Sequence, residues 1–189
     1  MVKKNILELL SYFKKWNWSM SIDAVESAHT YLRSDVDDWN TVYDNSKQLI
    51  NFKKNNKKSY MTLSVHSSVS WLSLYRFYDV WKLYNKDVDN IKANIVLGPD
   101  EYAIDRLPKE ELIKAHMFYL KKYNKHKRSV HAKSLKMLAD YLEGCVSHAS
   151  EDKSNIIKAI AKQKEIDQLR KQSLFNTFPE WKHLENYNG

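Results

Sequence analysis

The sequence predicts an α/β fold, in which three parallel strands with intervening helices are followed by a helical C-terminal part. Short apolar runs alternate with amphipathic segments of helix length between residues 16 and 97. Strands separated by helices pair in parallel, because the chain returns to the same end of the sheet through a right-handed crossover. From Pro108 onward the apolar residues follow a helical period only. We therefore predict β/α units over residues 1–107 and a helical subdomain over residues 108–189.

The first part contains three predicted helices and three predicted strands. Helices are expected at residues 4–15, 38–50 and 71–84, and strands at residues 16–22, 59–65 and 92–97. Residues 66–70 are expected to form a polar loop after the second strand. Gly98 and Pro99 end the third strand, because proline has a fixed φ and no backbone N–H to donate to a neighbouring strand.

The second part is predicted to contain three helices, at residues 108–125, 129–147 and 152–172. Pro108 suits the first turn of a helix, where its missing N–H needs no partner, and the acidic residues that follow favour the same position. The segment 175–181 is aromatic and is interrupted by a proline. We expect it to pack the last helix against the rest of the chain.

The composition indicates a folded, soluble protein. Of 189 residues, 43% are hydrophobic and 13% aromatic, which is enough for a sizeable core, and we expect Trp39, Trp71 and Trp81 to pack in it. The single cysteine, Cys145, argues against a disulfide framework and favours a reducing compartment. No apolar stretch approaches the ~20 residues of a membrane span, and the N-terminus lacks a signal-peptide pattern. We therefore expect a cytoplasmic protein without membrane association.

Two kinds of site are disfavoured by residue usage. The chain has only three glycines, and it contains neither a dinucleotide fingerprint nor a P-loop. Its histidines have no spacing typical of zinc ligands, and one cysteine cannot supply a thiolate-rich site. No metal ligand is therefore predicted in this chain.

The net charge of +8 is compatible with a nucleic-acid or acidic partner, although basic and acidic residues are interspersed over most of the chain. Two basic clusters stand out, namely Lys53, Lys54, Lys57 and Lys58, and residues 121–133. The first is most simply an exposed loop. The second combines basic and aromatic residues like a phosphate-contacting surface, but the solvated end of a helix has the same composition, so both interpretations stay open.

Polar residues follow the first predicted strand, at the edge where α/β proteins bind ligands. Ser21 and Asp23 alternate with apolar residues, so their side chains point to the same side. A hydroxyl and a carboxylate there can hydrogen-bond a ribose or an ammonium group, or they can cap the next helix. Arg33 suits a carboxylate ligand, because its planar guanidinium can bind two oxygens at once.

Each of these charged residues also has a structural interpretation. Arg33 can form an internal ion pair with Asp35, Asp37 or Asp38, which follow it closely in the sequence. His66, at the end of the second predicted strand, is more simply a hydrogen-bonded structural residue than a proton carrier.

Five short segments together resemble the radical S-adenosylmethionine (SAM) enzymes. Residues 21–33, which contain Ser-Ile-Asp and Tyr-Leu-Arg, are similar to the family's fourth strand and the segment after it, and residues 38–45 to the Trp-led helix that follows. Residues 60–74 resemble the fifth strand, and residues 98–108 resemble the segment after the sixth. Residues 169–181 resemble the C-terminal ending of the twitch-domain branch, which is common in phage and bacterial members.

The resemblance implies only the second half of such an enzyme. The Cys-x-x-x-Cys-x-x-Cys loop that binds the family's [4Fe–4S] cluster has no counterpart here, and neither has its Gly-Gly-Glu segment. The implied fold is three parallel strands forming half of a TIM-like barrel, with an open sheet edge that a second chain would cover. The implied function is that of the C-terminal portion of a split or truncated radical SAM enzyme, inactive alone, whose [4Fe–4S] cluster comes from a partner chain.

The resemblance also points to cofactor-binding residues. Ser21 and Arg33 match positions that the family uses for the ribose and the carboxylate of SAM, and Asp23 stands beside them. Ser67 and Ser68 stand where the family often has an asparagine after its fifth strand. We therefore expect these five residues to contribute to SAM binding, and no residue is assigned a catalytic role.

Two alternatives stay open beside the split enzyme. In one, the chain is a non-catalytic binding protein that docks on a protein or a nucleic acid through residues 121–133 and the open sheet edge. In the other, two copies close that edge by forming a homodimer.

Overall fold

A computed structural model describes residues 4–33, 38–56, 60–149 and 153–186. The strands are β1 (Lys15–Ser21), β2 (Tyr60–Val69) and β3 (Asn90–Ile95). The α-helices are α1 (Lys4–Ser11), α2 (Glu26–Arg33), α3 (Trp39–Asn55), α4 (Phe77–Tyr84), α5 (Lys109–His126), α6 (Ala132–His148), α7 (Ser154–Arg170) and α8 (Leu174–Thr177). Short 3-10 helices cover Asp100–Tyr102, Ile104–Arg106 and Pro179–Leu184. The predicted α/β class is confirmed.

The three strands form one parallel sheet, as predicted, and their order in it is β1, β2, β3. Strand β2 is central. Its residue His66 lies between Ser21 of β1 and Lys92 of β3, directly opposite each of them. Successive side chains of a strand point to opposite faces, and residues directly opposite each other share a face. The sheet therefore has two distinct faces.

One face of the sheet is apolar and buried. Its central strand contributes Leu63, Val65 and Val69, which have no exposed surface, and the neighbouring strands contribute Met20 and Ile91. The residues between them point the other way and are mostly polar and exposed. A one-residue shift of β2 would exchange the two sets, so burial of the apolar face fixes the register.

Large aromatic side chains fill the core between the sheet and the helices. Trp71 and Trp81 are buried as predicted, and Trp39 is half-buried and packs against the same core. The indole of Trp81 donates to the carbonyl oxygen of His131 at 3.0 Å, and a ring nitrogen of His131 lies 3.0 Å from the carbonyl oxygen of Val88. These buried bonds hold the loop before α6 beside β3.

The C-terminal segment packs back on the body of the protein, as predicted for residues 175–181. Phe178 and Trp181 are fully buried, and Tyr31 of α2 packs edge-on against Phe178 with 5.2 Å between the ring centroids. Arg76 pairs with Glu180 at 2.6 Å. Burial raises the pKa of the Glu180 carboxyl, and Arg76 opposes that shift. A single hydrophobic core contains residues from both predicted parts of the chain.

The end of β2 and the start of α4 differ from the predictions. Strand β2 continues to Val69, so residues 66–69 belong to the sheet and not to a loop. Helix α4 begins at Phe77, because residues 71–76 form turns. The Ser73 hydroxyl donates to the carbonyl oxygen of Ser68 at 3.1 Å and accepts from the Ser70 amide at 3.1 Å, and such serine bonds compete with helix formation.

Helix α2 was not predicted, because residues 26–33 contain few apolar side chains. Ala28 and Tyr31, three positions apart, are nevertheless buried. Packing of this short apolar side stabilises the helix, as tertiary contacts do for many helices of weak propensity. Across the described residues, none of the helices combines the length and the apolar character needed to cross a membrane.

Burial of β2 yields a stability prediction. Leu63→Ala should lower the free energy of unfolding by about 2–5 kcal/mol, because it leaves a cavity under the central strand. The control is Tyr60→Ala on the same strand, where the side chain is 83% exposed and the expected change is within about 0.5 kcal/mol. Urea unfolding followed by circular dichroism measures both, and equal losses would contradict the assigned faces.

Candidate functional site at the carboxyl edge of the sheet

The candidate residues from the sequence lie at the carboxyl edge of the sheet. Ser21 is the last residue of β1. Ser67 and Ser68 are the two residues of β2 that precede its last residue, Val69. Helix α2 starts five residues after β1 and carries Arg33 at its end. Parallel strands present their carboxyl ends on one side, which is where open α/β sheets bind ligands.

Four of the five predicted residues form one polar network. A terminal nitrogen of Arg33, Nη2, donates to Ser21 Oγ at 2.7 Å and lies 2.9 Å from Asp23 Oδ2. The other carboxylate oxygen, Asp23 Oδ1, accepts from the backbone N–H of Ser68 at 2.6 Å. The network thus joins the end of β1, the end of β2 and the end of α2.

The acidic partner of Arg33 is not one of the three aspartates that the sequence analysis considered. Asp35 and Asp37 lie outside the described residues, and Asp38 instead caps α3 by accepting from the Thr41 backbone N–H at 3.0 Å. Arg33 is paired with Asp23, whose side chain is only 13% exposed. Among the described residues, the buried Nε–H of Arg33 has no hydrogen-bond partner. Ser21 and Asp23 contact Nη2 only, so the other terminal nitrogen, Nη1, keeps donor capacity for a ligand.

Ser67 has a different position from the other four. Its side chain is fully buried on the apolar face, and its hydroxyl donates to the carbonyl oxygen of Ile22 at 2.5 Å. The Ile22 backbone N–H in turn donates to the carbonyl oxygen of His66 at 3.0 Å. Ser67 therefore fastens the end of β1 to β2 and sets the position from which Asp23 reaches Ser68.

A cavity of about 230 Å³ opens beside this network. Asp23 and Ser68 line it from the sheet, and Tyr31, Gln163 and Arg170 line it from α2 and α7. Its walls therefore carry charges of both signs, and Leu32, Leu72, Val96 and Ile166 add an apolar part. A volume of this order suits part of a small ligand, such as one end of a nucleoside or an amino acid.

A second hydrogen-bond network supports the wall of the cavity. The Tyr31 hydroxyl donates to Asp167 Oδ1 at 2.7 Å and accepts from Gln163 Nε2 at 2.6 Å, while Asp167 Oδ2 accepts from the Leu174 backbone N–H at 2.7 Å. Burial, together with Asp167, raises the pKa of Tyr31 above its usual range. The phenol therefore stays protonated at neutral pH and acts as a fixed donor.

The sequence did not predict that residues of α7 line the cavity. Tyr31 belongs to the Tyr-Leu-Arg segment that was noted there, but Gln163 and Arg170 follow it by more than 130 positions. Both lie on α7, where the period of the apolar residues predicts which side of the helix is buried but not what its polar residues contact. No local signal connects them with the end of β1.

The basic run at residues 121–133 covers the end of α5, the following loop and the start of α6. Its lysine Lys122 lies over the ring of Tyr78, 4.2 Å from the centroid, and His126 Nε2 is 2.9 Å from the Tyr78 hydroxyl. Burial and the neighbouring lysines lower the pKa of Lys122. These aromatic and basic side chains contact each other, whereas Lys125 and Arg128 are exposed.

The described residues do not fit an iron–sulfur cluster or another metal centre. Within residues 4–33, 38–56, 60–149 and 153–186, no group of three histidine, cysteine or acidic side chains is arranged to hold a metal ion. Cys145 is half-buried on α6, where burial raises the pKa of its thiol. A cluster held by three thiolates would need cysteines from another chain.

No family model, curated protein or solved structure matches the chain.

The contacts of Asp23 lead to a prediction on stability. Asp23→Ala should lower the free energy of unfolding by about 1–3 kcal/mol, since it leaves the Ser68 N–H without its acceptor and Arg33 without its ion pair. Asp140→Ala serves as control, because its ion pair with Lys136 is about half exposed on both sides and should contribute less than about 0.5 kcal/mol. Thermal or urea unfolding compares the two variants. A loss at Asp23 no larger than that of the control would show that the network is not formed.

Proposed function

We propose that the chain is the C-terminal half of a split or truncated radical SAM enzyme. In this proposal it supplies half of a TIM-like barrel, and Ser21, Asp23, Arg33 and Ser68 contribute to the SAM site. A partner chain supplies the other strands and the [4Fe–4S] cluster. The observation that carries the proposal is the parallel sheet with one polar, largely uncovered face and a polar network at its carboxyl edge.

The uncovered face is unusual for a parallel sheet. Sheets with only parallel strands are nearly always covered on both faces. Here, nine of the twelve residues on the polar face are exposed, among them Asn17, Ser19 and Asn94. In a barrel, such a face lines the interior and is closed by the remaining strands. Half a barrel would leave it open, as in this chain.

The outer edge of β1 is the place where further strands would add. Within the described ranges, β1 pairs with β2 alone, so its other edge has free backbone donors and acceptors. Leu9, Tyr12 and Phe13, just before β1, are exposed, and so is Tyr60, whose backbone N–H donates to the carbonyl oxygen of Lys14 at 2.9 Å. Exposed apolar residues beside an unpaired strand are typical of a protein contact surface.

The residues at the edge suit the polar groups of SAM. The guanidinium of Arg33 can bind a carboxylate through Nη1, which Ser21 and Asp23 do not contact. The Ser21 hydroxyl can donate to or accept from a ribose hydroxyl, and Asp23 holds the guanidinium in place. Bound SAM would supply a 5′-deoxyadenosyl radical for hydrogen abstraction, with an electron that must come from the partner chain. This chain would orient SAM and shield the radical.

A second candidate function is a non-catalytic protein that binds nucleic acid through residues 121–133. The exposed side chains of Lys121, Lys125, Lys127 and Arg128 favour it, because they carry four positive charges at the end of α5 and in the loop after it. This candidate requires neither SAM nor a cysteine-rich partner. It would show as binding to nucleic acid that weakens steeply with salt.

Partner capture tests the split enzyme. Purification of the tagged chain from cells that carry its native genetic neighbourhood should recover a protein with Cys-x-x-x-Cys-x-x-Cys, with iron and sulfide in the complex. A tagged chain with Tyr12→Asp and Phe13→Asp is the comparison. Negative charges at these two exposed positions before β1 should reduce recovery of that protein. Recovery of an iron-free homodimer, or of nucleic acid alone, would overturn the proposal.

Binding of SAM to that complex gives a second prediction. Arg33→Ala should weaken binding about 10- to 100-fold, which is the loss expected for hydrogen bonds to a charged group. Arg106→Ala should have no effect, since Arg106 also pairs with aspartates but takes no part in the network of Ser21, Asp23 and Arg33. Equilibrium dialysis with labelled SAM measures both, and Arg33→Lys tests the need for a planar group. Equal binding by wild type and Arg33→Ala would contradict the assigned site.

A further inference from the structure

A row of three residues crosses the polar face of the sheet near its carboxyl edge. Ser21 lies opposite His66, and His66 lies opposite Lys92. Neighbouring strands are about 4.8 Å apart, and opposite residues point to the same face. The hydroxyl, the imidazole and the ammonium group are thus side by side on one surface.

The polar face carries positive charge but no carboxylate. Its members are Lys15, Asn17, Ser19 and Ser21 on β1, Tyr60, Thr62, Ser64, His66 and Ser68 on β2, and Asn90, Lys92 and Asn94 on β3. In the part of the chain that the structure describes, neither the His66 side chain nor the Lys92 side chain makes a hydrogen bond or an ion pair. The strands of this face thus present cationic and neutral donors and no acidic side chain.

The nearest carboxylate at the carboxyl edge is already neutralised. Asp23 follows β1 by two residues, and both of its oxygens are occupied, one by Arg33 and one by the Ser68 N–H. Arg33 also donates to Ser21, the first member of the row. An anion on the row would therefore meet hydrogen-bond donors from Ser21, His66 and Lys92 and no unpaired carboxylate.

We propose that Ser21, His66 and Lys92 form an anion subsite for the substrate. The Lys92 ammonium, the His66 ring N–H and the Ser21 hydroxyl would donate to the oxygens of a phosphate or carboxylate group. The next row, Ser19, Ser64 and Asn90, offers hydroxyl and amide groups for the polar remainder of the same molecule. The substrate class is therefore a polar, hydroxyl-bearing anion. Naming it a substrate rests on the proposed function, in which this face is the barrel interior.

The test is a nuclear magnetic resonance titration of the full chain with inorganic phosphate and, separately, with acetate, both at constant ionic strength. Phosphate or acetate should shift the backbone signals of Ser21, His66 and Lys92. Tighter binding of phosphate would indicate a phosphorylated substrate, and tighter binding of acetate a carboxylated one. Shifts confined to residues 121–128 would overturn the inference, because they would show general attraction to the basic run.

Charge-matched variants decide whether the row binds the anion. Lys92→Gln should weaken the binding at least about tenfold, as expected for loss of a charge-assisted hydrogen bond, and His66→Gln should weaken it to a smaller extent. Lys121→Gln removes the same charge from an exposed helical position and should leave the affinity unchanged. Equal affinities of Lys92→Gln and wild type would overturn the subsite. Signal dispersion in the same spectra verifies that each variant is folded.

Failure of this inference is distinguishable from failure of the proposed function. If the complex binds SAM through Arg33 but no anion binds at the row, the subsite is wrong and the split enzyme stands. If the chain binds phosphate through Lys92 but neither SAM nor a cysteine-rich partner, the anion subsite stands and the assignment to a radical SAM enzyme fails.

Discussion

The parallel pairing of β2 with both neighbouring strands is the constraint on which the rest of the structure depends. The alternate residues Leu63, Val65 and Val69 lie under the helices and fix the register, and the residues between them are then forced onto the polar face. The same register places Ser21 opposite His66 and brings the ends of β1 and β2 together. The positions of the site residues therefore follow from the burial of residues that have no chemical role.

Asp23 links this register to the helices. It follows β1 by two residues, and its two oxygens accept from Arg33 and from the Ser68 backbone, so it connects α2 to the central strand. The guanidinium has five donors, and only one of its nitrogens contacts Ser21 and Asp23. A ligand can therefore bind the remaining donors while Asp23 keeps the arginine oriented, so the ion pair and the ligand site are compatible.

The strands and the long helices could be predicted because their burial leaves a periodic pattern in the sequence. The end of β2 could not, since residues 66–70 consist mainly of histidine and serine and resemble a loop until the pairing with β3 is known. Ser21, Asp23 and Arg33 were found by their place after a strand, but the ion pair between two of them depends on α2, which has little apolar pattern. Gln163 reaches the cavity only through the packing of α7, a contact that no neighbouring residue signals.

The chemistry of the polar face restricts how it can be covered. Burying its groups against a flat protein surface would cost about 1–3 kcal/mol for each hydroxyl or amide left without a hydrogen bond, and more for each ammonium group. In the proposed complex, a partner would therefore gain most by pairing with the backbone of β1 and packing on the exposed side chains of Leu9, Tyr12 and Phe13, where donors, acceptors and apolar area are available. Such a contact would close the sheet at its edge and leave the polar face, with His66 and Lys92, open to water. An edge contact and a ligand on the face are therefore compatible.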